Sequence, residues 1–284
     1  MSTPAVMMEG GVYLMYYMGG SYEETPIANF KESVPVGMED VKIQGMSMKI
    51  GVALSQDGKS WGRVEGDDPT GAIMVPYDAS DPLRNEKDEN INLKDELYCG
   101  WPEVVVDDDS TKSSFIMYYS TMLKEDKTKV LAYAISDDGF KWLKRGVCIK
   151  PNSEGPDDGG CARCSVIKKA KYSKGTWENA KGWIMFYEGL SKKDGKHRIL
   201  AAESDDLRSW VKLGIALDLG NETLNAWDCA GVGSPHVIRL DDGNSRMYYT
   251  GQNSDGSTAF GVAKCSSSGN DIDWEREQVT FSME

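Results

Sequence analysis

The stretch Trp227–Ala263, WDCAGVGSPHVIRLDDGNSRMYYTGQNSDGSTAFGVA, decides the fold because apolar and polar residues alternate along it in three short runs. The runs Ser234–Leu240, Arg246–Gly251 and Thr258–Ala263 are separated by segments rich in Asp, Asn and Gly, which are typical of tight turns. The stretch therefore predicts three consecutive strands of an antiparallel meander.

The same pattern occurs four times along the chain. Its second strand is Tyr- or aromatic-rich in every copy, as in Tyr13–Met18, Phe115–Ser120 and Trp183–Glu188. The third strand runs into a Ser-x-Asp-Gly-x-x-Trp motif, in which Asp and Gly form the hairpin turn and the Trp buries a large ring between neighbouring sheets. The outer aromatic residues are Trp61, Trp142, Trp210 and Trp274.

A single four-stranded sheet of this kind cannot bury both of its faces. Sheets that stack radially bury their faces against one another. We therefore predict an all-β fold, a β-propeller of four-stranded antiparallel blades in one domain spanning residues 1–284. The tail Glu277–Met283 alternates and is interpreted as a closing strand. The blades are expected at about 3–65, 99–146, 161–214 and 232–277, with an insertion at 66–98 that forms either a solvated loop or a rim loop.

The charge balance excludes several functions. A net charge of −13 and an isoelectric point near 4.8 argue against nucleic acid and anionic membrane surfaces, both of which attract basic faces. No apolar run approaches the roughly 18 residues that span a bilayer. Six cysteines are too few for a disulfide framework in a chain of 284 residues, so free thiols are expected. We expect a soluble protein, intracellular (cytoplasm, or an organelle lumen after removal of a leader) rather than secreted.

Cys161 and Cys164 form a C-x-x-C motif that a metal or redox site can use. A zinc site needs further ligands, and the chain has only two histidines, His197 and His236. A redox pair needs a βαβ setting that the surrounding sequence lacks. We interpret the two cysteines as small residues at a blade edge, and expect neither a metal nor a cofactor.

The repeated motifs resemble those of a known group of proteins. P-x-V in the first strand, M-Y-Y-x-G in the second, and G-V-A-x-S followed by D-G-x-x-W are similar to the five-bladed β-propeller glycoside hydrolase superfamily. That superfamily includes arabinanases, β-xylosidases, levansucrases, invertases and mannoside phosphorylases. The resemblance implies five blades, one more than the four visible repeats, and a sugar bound in a central funnel.

The resemblance also implies catalytic carboxylates at the starts of the first strands, one of them protonated. In many members an Asp stands directly before the Pro of this strand. The equivalent residues here are Thr3, Trp101, Arg163 and Ser234, and none of them is acidic. This departure keeps open a second interpretation, in which the propeller has lost catalysis and binds a sugar or a protein partner.

Three carboxylates are the catalytic candidates. Glu188 ends a second strand where the other repeats carry apolar or hydroxyl residues, and is either an exposed strand-end residue or the general acid. Glu103 follows Pro102 on a first strand, where burial requires a basic partner such as Arg163 or an open funnel. Asp228 lies beside Trp227, where it can reach a sugar.

Other residues are candidates for substrate binding. Asp95 and Asp157, like Asp228, lie seven residues before the Pro or Cys of a first strand, so a shared turn or cap is the simpler interpretation. Trp101, Arg163 and His236 complete the possible funnel lining, although Trp101 fits interblade packing equally well.

Two functions therefore remain. The first is a carbohydrate-active enzyme, a glycoside hydrolase or phosphorylase acting on a sugar in the funnel. The second is a non-catalytic propeller that serves as a sugar-binding or protein-interaction subunit, alone or in an oligomer.

Overall fold

A computed structural model of the chain describes the residues 5–9, 11–30, 37–38, 40–80, 94–107, 114–224, 226–266 and 271–277. These residues form two compact units, Met1–Lys150 and Pro151–Glu284. Each unit contains two four-stranded antiparallel sheets, which we call blades 1 to 4 in chain order. No helix in the described ranges is long and apolar enough to cross a membrane.

Blade 1 has the strand order β1-β2-β5-β6, with the short pair β3-β4 and a 3-10 helix at Ile27–Phe30 inserted between its second and third strands. The strands of this part are β1 Ala5–Glu9, β2 Val12–Gly20, β3 Thr25–Pro26, β4 Lys42–Ile43, β5 Met48–Ser55 and β6 Gly62–Val64. Blade 2 is the meander β7 Gly100–Asp107, β8 Ser114–Met122, β9 Lys129–Ser136 and β10 Leu143–Ile149.

Blades 3 and 4 make up the second unit. Blade 3 consists of β11 Gly160–Ser173, β12 Thr176–Leu190, β13 His197–Ser204 and β14 Val211–Leu217. Blade 4 consists of β15 Gly231–Arg239, β16 Asn244–Gln252, β17 Thr258–Ser266 and β18 Glu275–Arg276. A 3-10 helix at Glu222–Leu224 lies in the connection between the two blades.

The blade count differs from the one that the resemblance implies. The prediction of antiparallel four-stranded sheets is confirmed, but the described residues form four blades rather than five. The repeats themselves number four, and no further repeat in the sequence supplies another sheet. The predicted closing strand, apart from Glu277, lies outside the described residues. The assignment of residues 1–284 to one domain stays a prediction.

The turn after each third strand explains why its motif repeats. Asp57, Asp138 and Asp206 each accept hydrogen bonds from two backbone N–H groups at 2.7–2.8 Å. The next residue has left-handed backbone geometry, which glycine adopts at the lowest cost. The left-handed residues are Gly58 (φ 69°), Gly139 (φ 77°) and Leu207 (φ 61°).

Two of the four motif tryptophans, Trp142 and Trp274, pack between neighbouring sheets, as predicted. Trp142 of blade 2 meets Tyr16 of blade 1 edge to face, with ring centroids 5.7 Å apart. Trp274 of blade 4 meets Phe186 of blade 3 in the same way at 5.3 Å. Because both contacts join two blades, each unit has one continuous apolar core in which the second and third strands of its blades are buried.

Candidate functional site

Three first strands contain a β-bulge at the same place. The pairing of β7, β11 and β15 with the following strand shifts register there, and one residue in each bulge has a positive φ angle. These residues are Trp101 (φ 50°), Arg163 (φ 41°) and Ser234 (φ 52°). Left-handed geometry is costly for residues with a side chain, and such strain concentrates at functional sites. Thr3, the fourth residue of this set in the sequence, lies outside the described residues.

Arg163 and Ser234 both bind the carboxylate of Glu188. Arg163 Nη1 donates to the two carboxylate oxygens of Glu188 at 3.2 and 3.0 Å, and the backbone N–H of Ser234 donates to Oε2 at 2.9 Å. His197 Nδ1 lies 2.8 Å from Oε1, although its alignment falls short of a good hydrogen bond. Four strands, β11, β12, β13 and β15, therefore converge on one carboxylate.

The register of the strands accounts for this convergence. Glu188 lies opposite Ala162 on β11 and opposite Ile199 on β13, so the bulge at Arg163 and the first residue of β13 are both within reach. Gly233 precedes Ser234, and a Cβ atom there would overlap Oε2 of Glu188. The glycine thus lets the β15 backbone approach the carboxylate closely.

The surroundings of Glu188 keep it ionised. Burial opposes the charged form, but the contact with His197, the positive charge of Arg163 and the N–H of Ser234 outweigh that effect and lower the pKa of Glu188 from 4.5 to about 2. A general acid needs a raised pKa so that it carries a proton near neutral pH. The interpretation of Glu188 as a proton donor is therefore not supported, although a role for Glu188 in the site stays a prediction.

The cluster of Glu188, Arg163 and His197 has a buried part and a part that is exposed to solvent. The side chain of Glu188 is only 4% exposed, whereas those of Arg163 and His197 are 35% and 41% exposed. A ligand arriving from solvent meets the guanidinium and the imidazole before the carboxylate. Glu188 is thus placed to position these two side chains, which can donate hydrogen bonds to oxygen-rich ligands such as sugars or phosphate.

Asp157 and Asp228 belong to a different arrangement. Asp228 is fully buried, and its Oδ2 accepts hydrogen bonds from the Tyr249 hydroxyl and from Arg276 Nε, both at 2.8 Å. Asp157 is also fully buried, accepts a hydrogen bond from the Tyr187 hydroxyl at 3.0 Å, and forms an ion pair with Lys212. In both blades a carboxylate before the first strand joins a second-strand tyrosine to a fourth-strand cation.

Blade 2 repeats the arrangement with Glu96, not with Asp95. The Tyr119 hydroxyl donates to Glu96 Oε1 at 2.8 Å, Lys144 pairs with Oε2, and Glu96 is 5% exposed. Asp95 instead accepts a hydrogen bond from the Ala79 N–H at 2.8 Å and is partly exposed. The predicted alignment of Asp95 with Asp157 and Asp228 is wrong by one residue, because this segment of blade 2 is one residue shorter before the bulge.

The sequence predicted that these acidic residues share a role as turn residues or caps, and the contacts that they make are different. Side chains rather than backbone amides make most of the contacts, so they act as buried links between strands rather than as turn caps. Three backbone amides also contribute: the N–H of Asn152 donates to Asp157 Oδ1 at 3.3 Å, that of Ala79 to Asp95 Oδ1 at 2.8 Å, and that of Tyr77 to Glu96 Oε2 at 2.8 Å. With no exposed surface, Asp157 and Asp228 have the contacts of structural residues, and their predicted roles in catalysis or sugar binding draw no support from them.

The remaining candidates lie on first strands. Trp101 packs edge to face on Tyr98, three residues earlier in the chain, with ring centroids 6.1 Å apart. Glu103 is half-buried on β7 opposite Tyr118, within the unit Met1–Lys150. His236 is exposed on β15 opposite Tyr248. Their predicted functions stay predictions.

Two important residues were missed from the sequence. The sequence suggested His197 only as a possible zinc ligand, yet it starts the strand that pairs with the end of β12, where Glu188 lies. Glu96 is adjacent to the residue that was chosen. Cys161 and Cys164 are buried on β11, and the Cys161 thiol donates to Asp157 Oδ2 at 3.6 Å. Across the residues that the structure describes, no group of three or more His, Cys, Asp or Glu side chains could hold a metal ion.

Comparisons with known proteins support the fold. No protein-family model and no curated protein sequence matches the chain. Solved structures do match: a glycosyl hydrolase from Bacteroides ovatus has 18% identity and a TM-score of 0.59, over 97% of this chain and 69% of that one. The β-1,2-mannobiose phosphorylase from Listeria innocua has 13% identity and a TM-score of 0.64, over 97% and 74% of the two chains.

A thermostable family-43 glycoside hydrolase is similar at 15% identity and a TM-score of 0.59, over 98% of this chain and 72% of that one. Identities this low establish the fold alone. The chain is therefore similar in fold to propeller proteins built from four-stranded antiparallel sheets.

Proposed function

We propose that the chain is a carbohydrate-active enzyme of the glycoside hydrolase or phosphorylase type, which binds its sugar against Arg163 and His197. The observation that carries this proposal is the buried, ionised Glu188 that holds two exposed donor side chains beside two strained backbone positions. Two left-handed residues beside a carboxylate whose partners reach solvent are more typical of a functional site than of a structural link. The carbohydrate-active proteins of similar fold support the same class of substrate.

Each side chain has a distinct task in this proposal. Arg163 donates hydrogen bonds to sugar hydroxyls, or to the phosphate that replaces water in a phosphorolysis, and His197 binds a neighbouring oxygen. Glu188 positions both groups and stays ionised, so the proton for the leaving group comes from another acid. A hydrolase needs a second carboxylate to activate water, whereas a phosphorylase supplies its nucleophile as phosphate.

The proposal is tested by assaying a panel of glycosides with and without inorganic phosphate. β-1,2-Mannobiose belongs in the panel because the similar protein from Listeria innocua phosphorolyses it. We expect turnover by the unmodified chain and its loss in Arg163→Gln. Lys169→Gln, which breaks an exposed ion pair with Glu203 in the same blade, is the matched control and should keep full activity. Turnover that survives Arg163→Gln contradicts the proposed site.

One observation favours the second candidate function, a sugar-binding module without catalysis. The three first-strand positions in the described ranges where the resemblance implies an acid are Trp101, Arg163 and Ser234, and both buried aspartates of blades 3 and 4 are engaged by tyrosine and a cation. Calorimetric titration with the same glycosides separates the two functions. Binding that is lost in Arg163→Gln but is never followed by turnover indicates a binding module.

A further inference from the structure

The second strands of the four blades end in residues of different chemistry. Their last residues are Gly20, Met122, Leu190 and Gln252, and each lies two residues after the position that Glu188 holds in blade 3. Of these residues only Gln252 has a polar side chain, and it is exposed, whereas Met122 is buried. The comparison of repeats that singles out Glu188 therefore singles out Gln252 as well.

Gln252 and His197 both lie next to Gly231 on β15. Gln252 is the strand partner of Gly231, and a Cβ atom on this glycine would lie 3.7 Å from Gln252 Oε1 and 4.0 Å from His197 Cβ. The two side chains come from different blades, His197 from β13 and Gln252 from β16. Gly231 therefore brings an amide group of blade 4 close to the imidazole of blade 3.

The glycines of β15 connect this pair of side chains with Glu188. Gly231 and Gly233 share one face of the strand, since alternate residues point to the same side. A Cβ atom on Gly233 would overlap Oε2 of Glu188, so this face of β15 lies against the carboxylate and His197. All of these residues belong to the unit Pro151–Glu284. Gln252 therefore lies on the face of blade 4 that borders the site around Glu188.

The side-chain amide of Gln252 is placed to bind a ligand from solvent. The backbone of Gln252 is held at the end of β16, because its carbonyl accepts a hydrogen bond from the Ala230 N–H at 2.9 Å. In the part of the chain that the structure describes, the side-chain amide makes no hydrogen bond. A primary amide offers a carbonyl acceptor and N–H donors side by side. This pair matches neighbouring hydroxyl groups of a sugar, each of which donates and accepts hydrogen bonds.

We propose that Gln252 binds hydroxyl groups of the sugar that contacts Arg163 and His197, and thereby helps to select the sugar. This inference rests on the proposed function of the Glu188 site. One hydroxyl donates to Gln252 Oε1, the side-chain oxygen next to Gly231 and His197, and a neighbouring hydroxyl accepts from Nε2. A carbonyl oxygen is an acceptor and disfavours an anion such as phosphate. Gln252 is therefore a contact for the sugar, and Arg163 remains the donor for phosphate.

The test begins with calorimetric titration of the full chain with arabinobiose, xylobiose, sucrose and β-1,2-mannobiose, and the disaccharide that binds most tightly becomes the probe. Gln252→Leu introduces the residue that ends the second strand of blade 3, so folding should be preserved. We expect this variant to bind the probe about three- to tenfold more weakly, the effect of losing neutral hydrogen bonds. Gln56→Leu makes the same change at an exposed residue of the turn after β5 and should bind as the unmodified chain does. Circular dichroism checks the folding of both variants.

Monodeoxy analogues of the probe distinguish a direct contact from a change in the fold. An analogue that lacks the hydroxyl held by Gln252 should bind the unmodified chain and Gln252→Leu with equal affinity, because the contact is absent from both complexes. Analogues that lack a hydroxyl elsewhere should keep the three- to tenfold difference. A distortion of the site would weaken the binding of every analogue by a similar factor.

The failure of this inference is distinguishable from the failure of the proposed function. If none of the four disaccharides binds, both are overturned. If binding is lost in Arg163→Gln but unchanged in Gln252→Leu, the proposed function stands and the role of Gln252 is overturned. A difference between the unmodified chain and Gln252→Leu that persists in every monodeoxy analogue also overturns the direct contact.

Discussion

Glu188 and Asp228 are two buried carboxylates of the same unit, and they differ in how often their surroundings recur. The Asp228 arrangement, with a tyrosine and a cation of its own blade, appears in three blades and tolerates Asp or Glu and Lys or Arg. The Glu188 arrangement appears once in the residues that the structure describes. It draws Arg163 and Ser234 from strained bulges of two blades.

We interpret this difference as a difference in role: Asp228 stabilises the fold, and Glu188 serves a ligand site. A buried carboxylate arrangement that recurs in three blades connects strands of each of those blades and is best explained by the stability of the fold. The Glu188 carboxylate occurs once, and its partners reach solvent. We interpret this arrangement as one that serves to bind a ligand. The following predictions measure how well this separation holds.

The largest effect is expected for Asp228→Asn, which leaves Arg276 without its anion and Tyr249 with a weaker acceptor. We expect the free energy of unfolding to fall by about 3 kcal/mol. The measurement is urea denaturation, with Lys169→Gln as the control that should change stability by less than about 1 kcal/mol. Ligand binding by the folded fraction should stay unchanged, and a selective loss of binding would contradict the separation.

Glu188→Gln should have the opposite profile. The amide no longer neutralises Arg163 or orients His197, so we expect sugar-dependent activity, or sugar binding if there is no turnover, to fall by about a hundredfold. A variant that is destabilised but binds and turns over as before would assign Glu188 to the fold.

Acid should remove the contribution of Glu188 to stability. The pKa of Glu188 is lowered from 4.5 to about 2, so its stabilising effect is complete above about pH 5 and is lost as pH falls towards 2. Between about pH 6 and about pH 3 the loss from this group is about 2 kcal/mol. Urea denaturation at both pH values gives the loss of stability in the unmodified chain and in Glu188→Gln. The difference between the two losses is the contribution of the Glu188 carboxylate. Equal losses in the two proteins would contradict the lowered pKa.

The smallest effect is expected for Ser234→Gly. Glycine adopts the left-handed geometry at this bulge without strain, while the N–H that binds Glu188 is kept. We expect a gain of about 0.5–1 kcal/mol in the free energy of unfolding, with ligand binding retained. Arg163→Gly relieves the same kind of strain but removes a donor, so it should abolish binding. Thermal unfolding and titration of both variants compare the two bulges.

Much of the local architecture can be predicted from the sequence. The Ser-x-Asp-Gly turn and its Trp are decided within a few residues, by hydrogen bonds from the Asp to the next amides and by the size of one ring. Glu188 also stood out from Met18, Ser120 and Thr250 at the same position of the other repeats. Comparison of repeats thus finds the unusual residue.

Neither the strand alternation nor the spacing gave the contacts of that residue. Counting seven residues back from the Pro or Cys of each first strand selected Asp95, whereas the buried carboxylate is Glu96, because the segment between the carboxylate and the bulge is one residue shorter in blade 2. In the same way, the lowered pKa of Glu188 depends on His197 and Arg163, which are distant in sequence and adjacent only through strand register.

The sequence by itself determined the repeated four-stranded unit, because turns, alternation and motif tryptophans are local or nearest-neighbour features. Only the tertiary structure decided which carboxylates are buried links and which one holds exposed donors. These are properties of burial and of charges brought together from several strands, and the free energy of a charge depends on that three-dimensional environment.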